Sequence, residues 1–162
     1  MRAVTHRSEE TEALAAAVAR LVAAGDVVVL AGDLGAGKTT FVRGFAEELD
    51  AQGPVTSPTF TLVQTYPARI RIHHLDVYRV AGPGLCEDLG LAELMDDGAV
   101  TLVEWGDLIL ADLPADFLEV AIRLGDDADD EETRTFELRC VGPGWYARQG
   151  ALEAAISEWS GE

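Results

Sequence analysis

Lysine is all but missing from these 162 residues: one stands at position 38, and the other eleven basic residues are arginine. Basic residues number 12 against 29 acids, for a net charge of -17. A surface that acidic repels phosphate backbones, which argues against a protein that grips nucleic acid by itself and leaves contact through a partner. Cysteine is scarce too. Cys86 and Cys140 form neither a C-x-x-C pair nor a metal-spaced cluster, so zinc and a disulfide framework are not indicated. Two reduced, apolar thiols are expected instead. Long apolar runs are also lacking: Ala13–Ala19 and Val27–Ala31 fall far short of a bilayer span. Met1-Arg2 is followed by Glu9, Glu10 and Glu12 before any apolar core, which does not read as a signal peptide. A cytoplasmic chain is expected.

What remains is ordinary globular composition, with 48% hydrophobic and 25% charged residues. The length suits one domain over 1–162, large enough to bury a core. Ser8, with Glu9, Glu10 and Glu12 behind it, predicts a capped helix start, and Leu14, Val18, Leu21 and Val22 continue at helical spacing to Gly25. Asp26–Ala31 is a continuous β-branched run, the pattern of a strand covered on both faces in a parallel sheet. A second helix is predicted over Lys38–Leu49 and a loop over Gly53–Thr59. Phe60–Tyr66 and Arg69–Leu75 read as strands joined by a tight turn at Pro67-Ala68, an antiparallel hairpin. A helix over Leu85–Met95, a buried strand over Ala99–Trp105, strands over Phe117–Leu124 and Thr133–Val141, and a helix over Tyr146–Trp159 complete the reading. The acidic run between the last two strands, Gly125 to Glu132, is expected to be a solvated loop. The order predicts an α/β fold of three layers at most, with a mostly parallel sheet and some antiparallel strands.

The sole lysine stands inside Gly32-Asp33-Leu34-Gly35-Ala36-Gly37-Lys38-Thr39, which fits G-x-x-x-x-G-K-[ST]. That pattern arises by chance in about one chain of this length in five hundred. The apolar strand before it and the helix after it also suit a phosphate-binding loop. Backbone N–H groups must converge on one concavity, at angles side chains obstruct, and the helix aims its positive end at the same anion. Lys38 would reach the β- and γ-phosphates and the Thr39 hydroxyl would ligate Mg²⁺. Such a site needs a carboxylate at a neighbouring strand end. Glu104, closing the run Val100–Val103, is a candidate metal residue, and Asp76, after Arg71–Leu75, is a candidate for metal or water positioning. Trp105 could stack on a purine or simply pack; His74, Tyr78 and Arg79 could be core, packing and capping residues. Guanine-reading P-loop proteins use an N/T-K-x-D element that needs a second lysine, so ATP is favoured over GTP.

Five stretches, "GDLGAGKTTFVRGF" (Gly32–Phe45), "SPTFTLV" (Ser57–Val63), "HLDVYR" (His74–Arg79), "EDLGL" (Glu87–Leu91) and "LVEW" (Leu102–Trp105), together resemble the TsaE family, the tRNA threonylcarbamoyladenosine biosynthesis ATPases of bacteria. With the first helix they cover roughly residues 8 to 110. The resemblance implies a small P-loop fold that binds ATP and Mg²⁺. Gly35, Ala36, Gly37, Lys38, Thr39 and Thr40 would hold the phosphates, and Thr39 with Glu104 the metal. Trp105 would lie against the adenine, and Thr11 would also approach the nucleotide. Ser57 to Phe60 would sense the γ-phosphate, with Thr59, Lys38 and Asp76 as catalytic residues. The resemblance further implies weak ATPase activity alone, and work with TsaD and TsaB, which place threonylcarbamoyl on adenosine 37 of tRNAs reading codons that start with A. The glycine-rich "AGPGLCEDLGL" and the tail after Asp116 depart from the family pattern.

Two rivals stand beside the partner-dependent ATPase. A small-molecule kinase would need several basic residues closing over the phosphates, and no R-x-x-x-R cluster lies between the loop and Glu104. A non-hydrolysing nucleotide sensor would bind ATP and signal to a partner without turnover.

Overall fold

The computed structural model describes residues 1–58, 62–79, 87, 90–125 and 131–161. They build one seven-stranded sheet, from β1 (Arg2–Thr5), β2 (Val27–Ala31), β3 (Val63–Tyr66), β4 (Ile72–Asp76), β5 (Val100–Glu104), β6 (Phe117–Leu124) and β7 (Arg134–Val141). The spatial order is β1-β7-β6-β2-β5-β4-β3. The four central strands β6, β2, β5 and β4 run parallel, while β3, β7 and β1 are antiparallel to their neighbours. Helices α1 (Ser8–Ala19), α2 (Lys38–Glu48), α3 (Leu91–Met95) and α4 (Pro143–Ala155) connect them. The predicted mixed α/β sheet with a parallel centre is what forms.

β2 shows why its sequence is apolar without alternation. Val28 and Leu30 enter one core with Leu14 and Val18 of α1, Phe41 and Phe45 of α2, and Trp145 and Leu152 of α4. Val27 and Val29 enter a second core on the opposite face, with Leu91 and Met95 of α3 and Ile109. A strand covered on both faces has no position to spare for a polar residue. Each fully buried Val, Leu or Phe contributes about 1.5–3 kcal/mol. α1 and α2 lie so close that a methyl on Gly44 would fall 2.3 Å from the Glu12 carbonyl oxygen. That contact fixes where α2 begins, and hence where Lys38 and Thr39 stand.

Several expectations are corrected. Ser8 is the first helical residue and Arg7 the cap, with no side-chain cap bond; the Glu10 carboxylate instead accepts from the His6 N–H at 2.8 Å. The link between β3 and β4 is the five residues 67–71, since the pairing of Tyr66 with Ile72 closes the ladder later than a two-residue turn would. Glu87 is helical, but Gly90, at a left-handed φ of 58°, breaks the predicted segment, and α3 runs from Leu91. The last helix starts at Pro143, and a separate 3₁₀ turn forms at Ser157–Trp159. Strand β1 is absent from the sequence reading: four residues at the sheet edge, Arg2–Thr5, are specified by pairing with Arg134–Glu137 of β7, at the far end of the sequence. Most of residues 85–90 of the predicted helix, residues 60 and 61 of the predicted strand Phe60–Tyr66, and most of the acidic loop lie outside the described residues.

The β4–β5 pair is braced at the end remote from the loop. Asp97 accepts from the Ala99 N–H at 3.0 Å and from His73 Nε2 at 2.8 Å, and pairs with Arg71 at 3.0 Å. These donors, the Ala99 amide foremost and His73 next, hold its carboxyl at about 2, below the ordinary 3.8. A depressed carboxyl contributes stability that is fully present above pH 4 and is lost as pH falls through 2. Asp97→Asn is therefore expected to flatten the fall in unfolding free energy between pH 4 and 2, measured by urea melts across that range. An unchanged slope would remove Asp97 from the account of acid stability.

Candidate functional site

β2 ends at Ala31, and residues 32–37 turn the chain into α2. Three glycines at positive φ, Gly32, Gly35 and Gly37, make the turn possible. A methyl at Gly32, whose φ is 146°, would lie 2.4 Å from the Ile122 carbonyl oxygen of β6. Gly37 takes φ 107° immediately before the helix, a left-handed conformation that costs glycine little and other residues much. The loop thus sits on the parallel strands' carboxyl end, with the α2 N-terminus directed over it.

Lys38 folds back over this loop. Its ammonium donates to the carbonyls of Gly32 at 2.6 Å and Asp33 at 2.8 Å, and sits 3.9 Å from the centre of the Trp105 ring. Burial pushes its pKa down, opposed by the carboxylates of Glu104, Asp76, Asp107 and Asp33. Trp105 reaches the lysine because it takes a left-handed φ of 61° where β5 gives way to a 3₁₀ segment, Gly106–Asp112. A non-glycine residue there costs on the order of 1–3 kcal/mol, strain of a kind that gathers at functional sites. Tyr78 packs on the indole, with ring centroids 4.5 Å apart.

The two candidate carboxylates separate in role. Asp76 and Glu104 are register partners at the ends of β4 and β5. The Thr39 hydroxyl donates to Glu104 Oε1 at 2.8 Å, across 65 positions of sequence. Asp76 turns elsewhere: its Oδ2 accepts from the Ser57 hydroxyl and its Oδ1 from the Tyr78 N–H, each at 3.0 Å. Thr39 and Glu104 supply hard oxygen donors of the kind Mg²⁺ takes, an ion that fills its other positions with water and phosphate oxygens. Among the described residues no group of three or more His, Cys, Asp or Glu could hold a metal, so no all-protein cage is built there.

Two cavities flank the loop. One of about 400 Å³ is lined by Lys38, Thr39, Ser57, Asp76, Glu104 and Trp105 together with the loop. The other, about 190 Å³, is lined by Ser8, Thr11, Thr40, Glu131, Glu132 and Arg134. Gly35, Gly37 and Thr40 line both. Thr11 and Trp105, paired in the sequence reading as nucleotide contacts, therefore lie in different cavities on opposite sides of the loop. Thr11 is held by a buried hydroxyl–hydroxyl bond to Thr5 at 2.8 Å. Thr59 falls outside the described residues. A roomier groove of about 600 Å³, between the chain's two ends, brings no such set of groups together.

Sequence reasoning missed Arg134. Its guanidinium donates to the Ala36 carbonyl at 2.9 Å, and to Glu131 at 2.6 Å and Thr133 at 2.9 Å, fastening the loop to the start of β7. Only an arginine at the head of a predicted strand pointed to it, and nothing local says that strand lies beside the loop.

Against known proteins, the family model described as "Threonylcarbamoyl adenosine biosynthesis protein TsaE" matches residues 5–135. That range exceeds the span carried by the sequence motifs and takes in Arg134. A Bacillus subtilis protein named tRNA threonylcarbamoyladenosine biosynthesis protein TsaE is 43% identical over 142 residues, 84% of this chain and 89% of its own. Proteins of the same name from Treponema pallidum and Streptomyces coelicolor are 39% and 42% identical, over 82% and 79% of this chain and 98% and 88% of theirs. The crystal structure of Bacillus subtilis YdiB superposes with a TM-score of 0.81 at 35% identity, covering 95% of this chain and 94% of that one. No helix among the described residues is long and apolar enough to cross a membrane. With a lysine-bearing glycine loop, a threonine–carboxylate pair beside it and these matches over most of its length, the chain belongs to the TsaE family.

Proposed function

We propose that this chain is an ATP-binding and ATP-hydrolysing subunit, a single unit over 1–162, required for threonylcarbamoyladenosine modification of adenosine 37 in tRNAs reading codons that start with A. It acts in the cytoplasm with TsaD and TsaB and reaches tRNA only through them, as its net charge of -17 favours. The observation that carries the reading is the Thr39–Glu104 contact of 2.8 Å beside the only lysine of the chain. A hydroxyl and a carboxylate so placed beside a phosphate loop suit a metal–nucleotide site better than any structural purpose.

In this reading Gly35 to Thr40 cradle the phosphates, and Lys38 leaves the Gly32 and Asp33 carbonyls for phosphate oxygens. Thr39 and Glu104 hold Mg²⁺, which when bound offsets charge on the phosphates. The nucleoside end takes the cavity of Thr11, Thr40 and Arg134, and Trp105 covers the phosphate end over Lys38 in place of the adenine contact expected for it. Asp76, with Thr59 in the neighbouring segment, serves hydrolysis, and its bond to Ser57 links that segment to the strand end.

The test is ATP turnover with and without TsaD and TsaB, coupled to modification of tRNA. Stimulation of at least tenfold by the pair, and tRNA modification that needs all three proteins and ATP, are expected. No complex and no stimulation would sink the tRNA reading and leave the nucleotide site standing. Stoichiometric phosphate transfer to a nucleoside would favour a kinase, and tight ATP binding without turnover, even with partners, a sensor.

A further inference from the structure

We propose that His74 is a positioning residue for Glu104, fixing its carboxylate for Mg²⁺; the proposal rests on the metal reading of Glu104 given above. His74 is fully buried on β4, and its Nε2 lies 2.8 Å from Glu104 Oε1. An ionised carboxylate only accepts, so Nε2 carries the hydrogen and donates. The same oxygen accepts from Thr39 at 2.8 Å. Donors from α2 and β4 therefore converge on one oxygen of a carboxylate that is itself buried, and the second oxygen is tied to neither.

The sheet register produces this contact. Leu102 is the register partner of His74, and Glu104 stands two residues further along β5, on the same face. Leu75 and Val77, between and beyond His74 and Asp76, point to the opposite core. The "HLD" of β4 therefore presents its histidine and its aspartate on the side where α2 begins, and its leucine away from it. An ordinary core histidine would satisfy both ring nitrogens. Here Nδ1 has no partner among the described residues, and the one directed bond goes to a candidate metal residue. Removing such an outer contact commonly weakens metal binding by about 10–100-fold.

The experiment compares His74→Leu, His74→Gln and Glu104→Gln by titration with a non-hydrolysable ATP analogue, once with Mg²⁺ and once in EDTA. His74→Leu is expected to cut the affinity gained from Mg²⁺ by about 10–100-fold while leaving binding in EDTA within about twofold. His74→Gln, whose amide N–H reaches a similar point, is expected to recover most of that gain. Imidazole ¹⁵N shifts of the nucleotide-free wild type should show a hydrogen on Nε2 of His74. Equal Mg²⁺ gain in His74→Leu and wild type, or a ring protonated on Nδ1 alone, overturns the proposal. If Glu104→Gln keeps the full gain, the metal reading of Glu104 fails instead. A purely structural role would lower the melting temperature of His74→Leu without touching the Mg²⁺ gain, and that outcome also overturns it.

Discussion

Lys38→Ala is expected to lose ATP affinity by at least about 100-fold, roughly 2.7 kcal/mol, and to show no measurable turnover, while the nucleotide-free protein keeps its fold. The loss follows from the position of the ammonium. It is held over the loop by two carbonyls and the Trp105 ring, and it exchanges those carbonyls for phosphate oxygens when nucleotide binds. The fold survives because two effects oppose each other. The ammonium's hydrogen bonds contribute about 1.5–3 kcal/mol each, while its burial acts against the charged form, as its lowered pKa records. The carbonyls left behind belong to half-buried Gly32 and exposed Asp33, within reach of water. Lys38→Arg should fail nearly as badly, since a planar guanidinium does not fit where a compact ammonium lies between two carbonyls and an indole face. Calorimetric titration with ATP and a thermal melt of the same sample decide it. Retained affinity and turnover in Lys38→Ala would show that the loop does not bind nucleotide.

Glu104→Gln is the second large effect: Mg²⁺-dependent hydrolysis is expected to fall by about 100–1000-fold, with ATP binding in EDTA nearly unchanged. The substitution suits the geometry. The amide oxygen can still accept from Thr39 and His74, so shape and hydrogen bonds persist while the negative charge goes. A loss of rate with the fold intact then reports on charge at the metal position. Turnover measured against Mg²⁺ concentration gives the answer. An unchanged profile would move the metal to Asp76, whose two oxygens would first have to leave Ser57 and the Tyr78 N–H.

The parts of this site that could be read from sequence are the local ones. The phosphate loop announces itself because its glycines, lysine and threonine are contiguous. Glu104 was visible because it ends an apolar run, and strand ends in α/β sheets carry chemistry. The parts that escaped are contacts between distant positions. Arg134 reaches Ala36 across 98 residues, and His74 reaches Glu104 across 30. Each depends on the order β7-β6-β2-β5-β4, which periodicity does not encode. The division of Thr11 and Trp105 between two cavities escaped for the same reason, and the left-handed turn at Trp105 has no glycine to signal it. Element boundaries slipped where a backbone angle decides: Gly90 breaks the predicted helix ahead of α3, and the ladder to Ile72 lengthens the β3–β4 link.

The clasp of Arg134 on the loop carries a consequence for assembly. Every motif quoted from the sequence is synthesised by residue 105, and at that stage β2 lacks β6 along one edge and the loop lacks the Arg134 guanidinium. The nascent chain therefore displays the whole nucleotide signature before it can hold the loop in shape. A fragment ending before β6 carries every one of those motifs and lacks both the strand beside β2 and the arginine that fastens the loop.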